Sequence, residues 1–197
     1  MKIVGIDFSM NSPGICIHEG ETWNHQNCRY AFLTPKKSLL ARFPAEHPTI
    51  VGLPLSESTV DTVRWNENAS TIFDFIFPIW GAKVAVEGYA FGVKSSRVFS
   101  IGEATGALKS KVFFGDMRLG ISSADDFDVY PPREVKKFAT GSGNADKDVM
   151  YSSFIAETGY DFRVFFGYKP DQKLASPVHD LVDAYYIAKL AHTKSNT

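Results

Sequence analysis

The residues best equipped for chemistry in this sequence are carboxylates at the ends of apolar runs. Asp7 closes Lys2 to Ile6, KIVGI, whose β-branched pattern fits a strand buried on both faces. Glu87 closes a second such run, Lys83 to Val86. Asp180 and Asp183 stand three apart in a helical stretch near the end of the sequence and so share a face. Three of them have a plain structural reading, Asp7 as a turn acceptor and Asp180 and Asp183 as partners of a helix dipole. Together they offer clustered oxygen ligands, which suit Mg2+ or Mn2+, and two such ions a few Å apart activate water and stabilise the leaving oxygen in phosphodiester cleavage.

The elements that must position these acids follow from periodicity. After Asp7, the turn residues Asn11 to Gly14 fold the chain back into Ile15 to Ile17, a hairpin. Thr22 to Thr34 is expected as a third, edge-like antiparallel strand, and Lys36 to Leu55, without a clear period, as a loop with one short helical turn. Ser58 and Asp61 resemble a capping box for a helix running to about Trp80, with Val60, Val63, Ile72, Phe73, Ile76 and Phe77 as its apolar stripe. Strand, helix, strand is a crossover unit, so the strand ending in Glu87 should lie parallel to its neighbour. If that neighbour ends in Asp7, the two carboxylates emerge about 5 Å apart and need a positive partner.

Gly88 to Ser96 is a glycine-bearing loop, followed by a helix with the stripe Val98, Ile101, Thr105, Leu108 and Val112. Phe127 to Tyr130 is a fifth strand, Pro132 opens a helix over Arg133 to Ala139, and Gly141 to Gly143 end it. The next helix begins near Asn144 with Lys147 in its first turn, where Asp146 and Asp148 offer a simple surface ion pair. Asp161 to Lys173 is aromatic-rich, a short extra strand or a lid, and Ser176 and Pro177 open the last helix, which reaches about His192.

At 197 residues the chain suits one domain, 1–197. No eighteen apolar residues run together, and the start has no basic region leading into an apolar run, so a cytoplasmic protein without membrane contact is expected. Cys16 and Cys28 lack zinc-site spacing and are expected as reduced, half-buried thiols. There is no hydrolase elbow, Walker loop or pair of CxxC motifs. A net charge of -1 argues against a nucleic-acid partner, but setting the four carboxylates aside raises it to +3.

Four stretches resemble the RuvC family of Holliday junction resolvases, within the RNase H-like superfamily: GIDFSMNSPGICI, VAVEGYAFGVKSSRVFSIGEATGAL, PPREVKKFATGSGNADKDV and HDLVDAYYIAKLAH. They occur in family order over well over half of the chain. The resemblance implies an α/β RNase H-like fold: a five-stranded mixed sheet, three antiparallel strands then two parallel ones, flanked by helices. It implies Asp7, Glu87, Asp180 and Asp183 as metal-binding and catalytic acids and Lys147 on or beside an active-site lysine. Mg2+, with Mn2+ as substitute and two ions per site, would serve paired cleavage of four-way DNA junctions by a homodimer. The helix carrying Gly102 and Gly106 would lie at or near the dimer interface.

An aromatic that acts at the junction centre in the family falls here on Ala90, flanked by Tyr89 and Phe91, with Phe91 taking the role. Lys94, Arg97, Lys109, Lys111, Arg133, Lys136 and Lys137 would contact phosphates, although solvated helix faces explain several equally well. Lys36 to Leu55 and Asp161 to Lys173 differ from the family pattern. Three other readings stand beside this one: a flap or RNA:DNA hybrid nuclease, an actin-like nucleotide-binding lobe, which would need a second lobe, and a non-catalytic junction-binding module, against which the retention of four acids argues.

Overall fold

The computed structural model describes residues 1–79, 81–88, 97–114, 127–169 and 171–196, without the side chains of 97, 98, 113 and 114. The strands are β1 (Lys2–Asp7), β2 (Gly14–Glu19), β3 (Cys28–Thr34), β4 (Ile50–Pro54), β5 (Lys83–Glu87) and β6 (Phe127–Tyr130). The helices are α1 (Lys37–Arg42), α2 (Asp61–Ile76), α3 (Arg97–Phe114), α4 (Pro132–Thr140), α5 (Lys147–Thr158), α6 (Phe162–Phe166) and α7 (Val178–Ser195). The strands build one mixed sheet in the order β4-β3-β2-β1-β5-β6. The β1–β2–β3 meander is antiparallel, and β5 and β6 continue parallel to β1.

The expected sheet of five strands has a sixth. Residues 50–54, which the sequence places in a loop, pair with β3 in parallel, from Tyr30 with Ile50 to Thr34 with Pro54, so β3 is not an edge. The short run IVGLP carries a glycine and a proline and no alternation, and the neighbouring strand supplies the order that its sequence lacks. Its outer edge is closed. The Ile50 N–H donates to His47 Nδ1 at 3.0 Å, the Gly52 N–H to the Phe43 carbonyl at 2.8 Å, and Pro54 has no N–H to offer.

Strand alternation divides the core into two layers. Val4, Ile6, Ile15, Ile17, Val84 and Val86 pack with residues of α2 and α3, while Ile3, Cys16, Tyr30, Phe32 and Ala85 pack with α7 and residues of α5 and α6. Asp7 and Glu87 continue the rows of Ile3 and Ala85, so both belong to the α7 face. Almost every residue of α7 from Val178 to His192 is buried. The helix comes so close to the sheet because two positions beneath it lack side chains. A Cβ on Gly5 would lie 2.5 Å from the Ala188 nitrogen, and one on Gly14 would lie 2.5 Å from the Asp180 carbonyl carbon.

Other boundaries shift for local reasons. Val60 is the N-cap of α2 and provides no side-chain cap, and the Ser58 hydroxyl accepts from the Val60 N–H instead, at 3.2 Å. Val60, Val63 and Phe77 are exposed, while Trp65 and Ala69 join Ile72, Phe73 and Ile76 inside. Trp80 lies outside the described residues. The segment expected as a strand or lid forms α6, whose Phe162 and Phe166 enter the core. Cys16 and Cys28 are free thiols, both fully buried rather than half-buried. Among the described residues no helix is long and apolar enough to cross a membrane.

Candidate active site

Strand pairing and helix packing bring the acids into one cleft. β1 and β5 pair in parallel through Ile6 with Val86, so Asp7 and Glu87, the next residues along, leave the sheet side by side. Above them the first two turns of α7 carry Asp180 and Asp183. The cleft, about 440 Å3, is lined by all four together with Lys136 and Lys147, and by Ser9, Met10, Thr105 and Met150. Asp7 and Asp180 are buried, 6% and 2% exposed.

Lys147 is the first residue of α5, and its Nζ lies 3.6 Å from Asp180 Oδ1. The simple pair with its sequence neighbours does not form. Asp146 is the N-cap of α5, and its carboxylate accepts the Val149 N–H at 2.9 Å, so the lysine faces the acids of another helix. α4 supplies a second cation. Pro132 opens this helix, and Gly141, at φ 81°, closes it in the left-handed region. Its phase turns Lys136 into the cleft and leaves Arg133 and Lys137 exposed.

Burial and mutual repulsion dominate the electrostatics. Burial pushes the Asp7 carboxyl well above the usual carboxylate range, and Glu87, Asp180 and Asp183 push it the same way against Lys147. Glu87 is pushed up to about 7, by burial first and then by Asp183, with Lys136 and Lys147 pulling it back. Asp183 is raised to about 6 by burial, with Lys147 and Lys136 opposing and Asp180 adding. Burial works against the charge of Lys147, yet Asp180, Asp183 and Asp7 together hold it above its ordinary value. His179, buried beside Asp180, is lowered by burial and then by Lys147, and among the described residues its Nδ1 has no hydrogen-bond partner.

The four carboxylates share a cleft without forming a closed cage: among the described residues no three His, Cys, Asp or Glu side chains are gathered in a metal-holding arrangement. The residues nevertheless fit a hard divalent cation. Among the described residues Asp180 Oδ2 is buried without a hydrogen-bond partner, the donors are all carboxylate oxygens, and the repulsion among them is what a cation relieves.

No family model and no curated protein matches this sequence. Solved structures do match. The Thermus thermophilus RuvC structure aligns with 100% of this chain and 98% of its own at 18% identity, with a TM-score of 0.56. The chain has the RuvC fold. T. thermophilus RuvC in complex with a Holliday junction substrate aligns at 19% identity over 100% of this chain and 94% of that one, TM-score 0.55. The yeast mitochondrial Holliday junction resolvase Ydc2 aligns at 10% identity over 96% and 77%, TM-score 0.53. At these identities the likeness is one of fold.

On that RuvC fold the acids and both lysines meet, but among the described residues Lys109, Lys111, Arg133 and Lys137 do not join them. Lys109 is half-buried and Lys111 exposed on α3, and neither lines the cleft. Tyr89, Phe91 and Lys94 lie outside the described residues, as does the side chain of Arg97. Ser9 and Met10 are cleft residues that the sequence did not single out. Their position two and three residues after Asp7, at the mouth of β1, is the available signal.

Proposed function

We propose that this protein is a metal-dependent, structure-selective endodeoxyribonuclease that resolves four-way DNA junctions by paired nicks. The observation that carries this reading is the convergence of Asp7, Glu87, Asp180, Asp183 and Lys147 in one cleft of a RuvC fold. Branched DNA as the substrate class is supported by the matching RuvC structure that holds a Holliday junction substrate.

Asp7, Glu87, Asp180 and Asp183 would hold Mg2+ or Mn2+, two ions per site, which supply an activated water and charge stabilisation of the leaving oxygen. Lys147 and Lys136 do work of their own. Each places an ammonium group beside buried carboxylates, where a scissile phosphate would otherwise meet only negative charge, and each can neutralise charge developing on its non-bridging oxygens. Lys147, paired with Asp180 at 3.6 Å, also restrains that carboxylate.

A homodimer would present two such clefts to a two-fold symmetric junction. Its contact would lie on α3, which exposes Phe99 at 77% and, among the described residues, leaves open space within 4 Å of a Cβ on Gly106. The test is cleavage of a mobile four-way junction in Mg2+, compared with flaps and RNA:DNA hybrids under one salt condition. The protein should make paired, symmetric nicks in the junction, and Asp7→Asn should lose about 1000-fold in rate, equivalent to about 4 kcal/mol. An Asp7→Asn variant that cuts at the parent rate refutes the proposal.

A further inference from the structure

We propose that residues 36–55, 161–169 and 171–177 together form a second phosphodiester-binding surface, which holds the backbone of the DNA substrate beside the acidic cleft. This rests on the nuclease reading above and extends it to residues that have no place in the site itself.

Strand direction puts the surface at the working end of the molecule. β1, β3, β4 and β5 all run the same way, so Asp7, Thr34, Pro54 and Glu87 end at one edge of the sheet. Lys36 lies just beyond Thr34, and its N–H donates to Thr34 Oγ1 at 3.2 Å. The two segments, far apart in sequence, are packed on one another. The rings of Phe43 and Phe166 are 4.8 Å apart, those of Phe32 and Phe166 5.3 Å, and the Arg42 guanidinium lies over Gly167, where a Cβ would be 3.0 Å from Nη1.

Between them runs an open groove of about 260 Å3, lined by Lys36, Ser38, Tyr168, Gln172 and Ser176, which ends at Pro177, the N-cap of α7 and three residues before Asp180. The groove is rich in donors. Gln172 Oε1 accepts the Lys169 N–H at 3.2 Å, which leaves the amide NH2 as its donor. Among the described residues Lys36 makes no ion pair.

Charge separates this region from the rest of the chain. Residues 36–55 hold Lys36, Lys37 and Arg42 against Glu46, and residues 161–177 hold Arg163, Lys169 and Lys173 against Asp161 and Asp171, a net +3 in a chain of net -1. The remainder therefore stands at -4. An exposed groove with donors spread along it fits a repeating phosphate backbone better than one enclosed anion.

The sheet also sets the distance. Lys36 follows β3, two strands from β1, which is about 10 Å across the sheet, or about three phosphates along one strand of B-form DNA. Lys136, on α4 after β6, lines the cleft from the other side, so positive charge flanks the acids on both sides.

The test is binding of a four-way junction in EDTA over a range of salt. Lys36→Ala should make the slope of log K against log salt shallower by about 0.9, and Lys36→Glu/Lys169→Glu should weaken binding about tenfold, both with the parent Tm. A methylphosphonate about three nucleotides from the cut should weaken the parent protein but not weaken Lys36→Ala further. Parent affinity and salt slope in both variants overturn the surface while leaving the nuclease reading intact. A parent protein that neither binds nor nicks junctions overturns that reading itself.

Discussion

Replacing Gly14 with alanine should impair the acidic cleft more than it impairs the fold. Gly14 begins β2, opposite Asp7 in the hairpin register, and the backbone of α7 passes directly over it. A Cβ there would stand 2.5 Å from the Asp180 carbonyl carbon and 3.0 Å from the Leu181 nitrogen, where ordinary contact begins at 3.4 Å. Backbone atoms in a helix cannot rotate aside, so the first turn of α7 must retreat by about 1 Å, at an overpacking cost of about 1–3 kcal/mol. Thermal unfolding in EDTA should register this as a Tm loss of about 2–4 °C for each kcal/mol. The same retreat lifts Asp180 away from Asp7, and a displacement of that size is worth about 100-fold in rate when it falls on a catalytic group. Calorimetric titration with Mn2+ should show weaker binding, and junction nicking in saturating Mg2+ should be slow although the protein is folded. A folded Gly14→Ala protein with the parent Mn2+ affinity and nicking rate, whatever its Tm, would refute the argument that this glycine positions the acids.

Two pH-dependent predictions act in opposite directions and are each read as a difference between parent and variant. The folded pKa of Glu87, about 7, exceeds its ordinary 4.5, so its contribution to stability is fully present below 4.5 and is lost as pH rises through 7, an effect of up to about 3 kcal/mol. In EDTA, Glu87→Gln should therefore raise the Tm at pH 8 and have little effect at pH 4.5; equal effects at both values would count against the buried-carboxylate account. His18 behaves conversely. It is buried, stacked on Trp23 at 4.3 Å and edge-on to His192 at 5.1 Å, and burial followed by the His192 charge lowers it from 6.5 to about 4. Stability present above 6.5 is lost as pH falls through 4, again by up to about 3 kcal/mol. His18→Phe should cost about 1 kcal/mol at pH 7, because the Asn24 N–H loses its acceptor, and should flatten the acid limb of urea unfolding curves; an unchanged acid limb would exclude His18 as its source.

Much of the frame was legible because local chemistry and tertiary environment agree. The runs KIVGI and KVAV are apolar on both faces because both of their faces are covered, and a carboxylate that ends such a run marks a strand leaving the core. Pro132 and Gly141 bracket α4 as their fixed backbone preferences require. β4 was not legible, since five residues with a glycine and a proline become a strand only beside β3. Nor was the fate of Asp146, which looked like a partner for Lys147 until the N-terminus of α5 took its carboxylate as a cap.

By itself the sequence determined which residues could do chemistry and the element that carries each one. Periodicity and turn residues are local, and they place Asp7 and Glu87 at strand ends and Asp180 and Asp183 on one helix face. Only the tertiary structure decided who faces whom. Parallel register makes neighbours of Asp7 and Glu87, the absent side chains of Gly5 and Gly14 let α7 lower Asp180 onto them, and the phase of α4 selects Lys136 over Lys137. Those outcomes depend on distances between segments more than 170 residues apart in sequence, such as Asp7 and Asp180, and no local pattern encodes them.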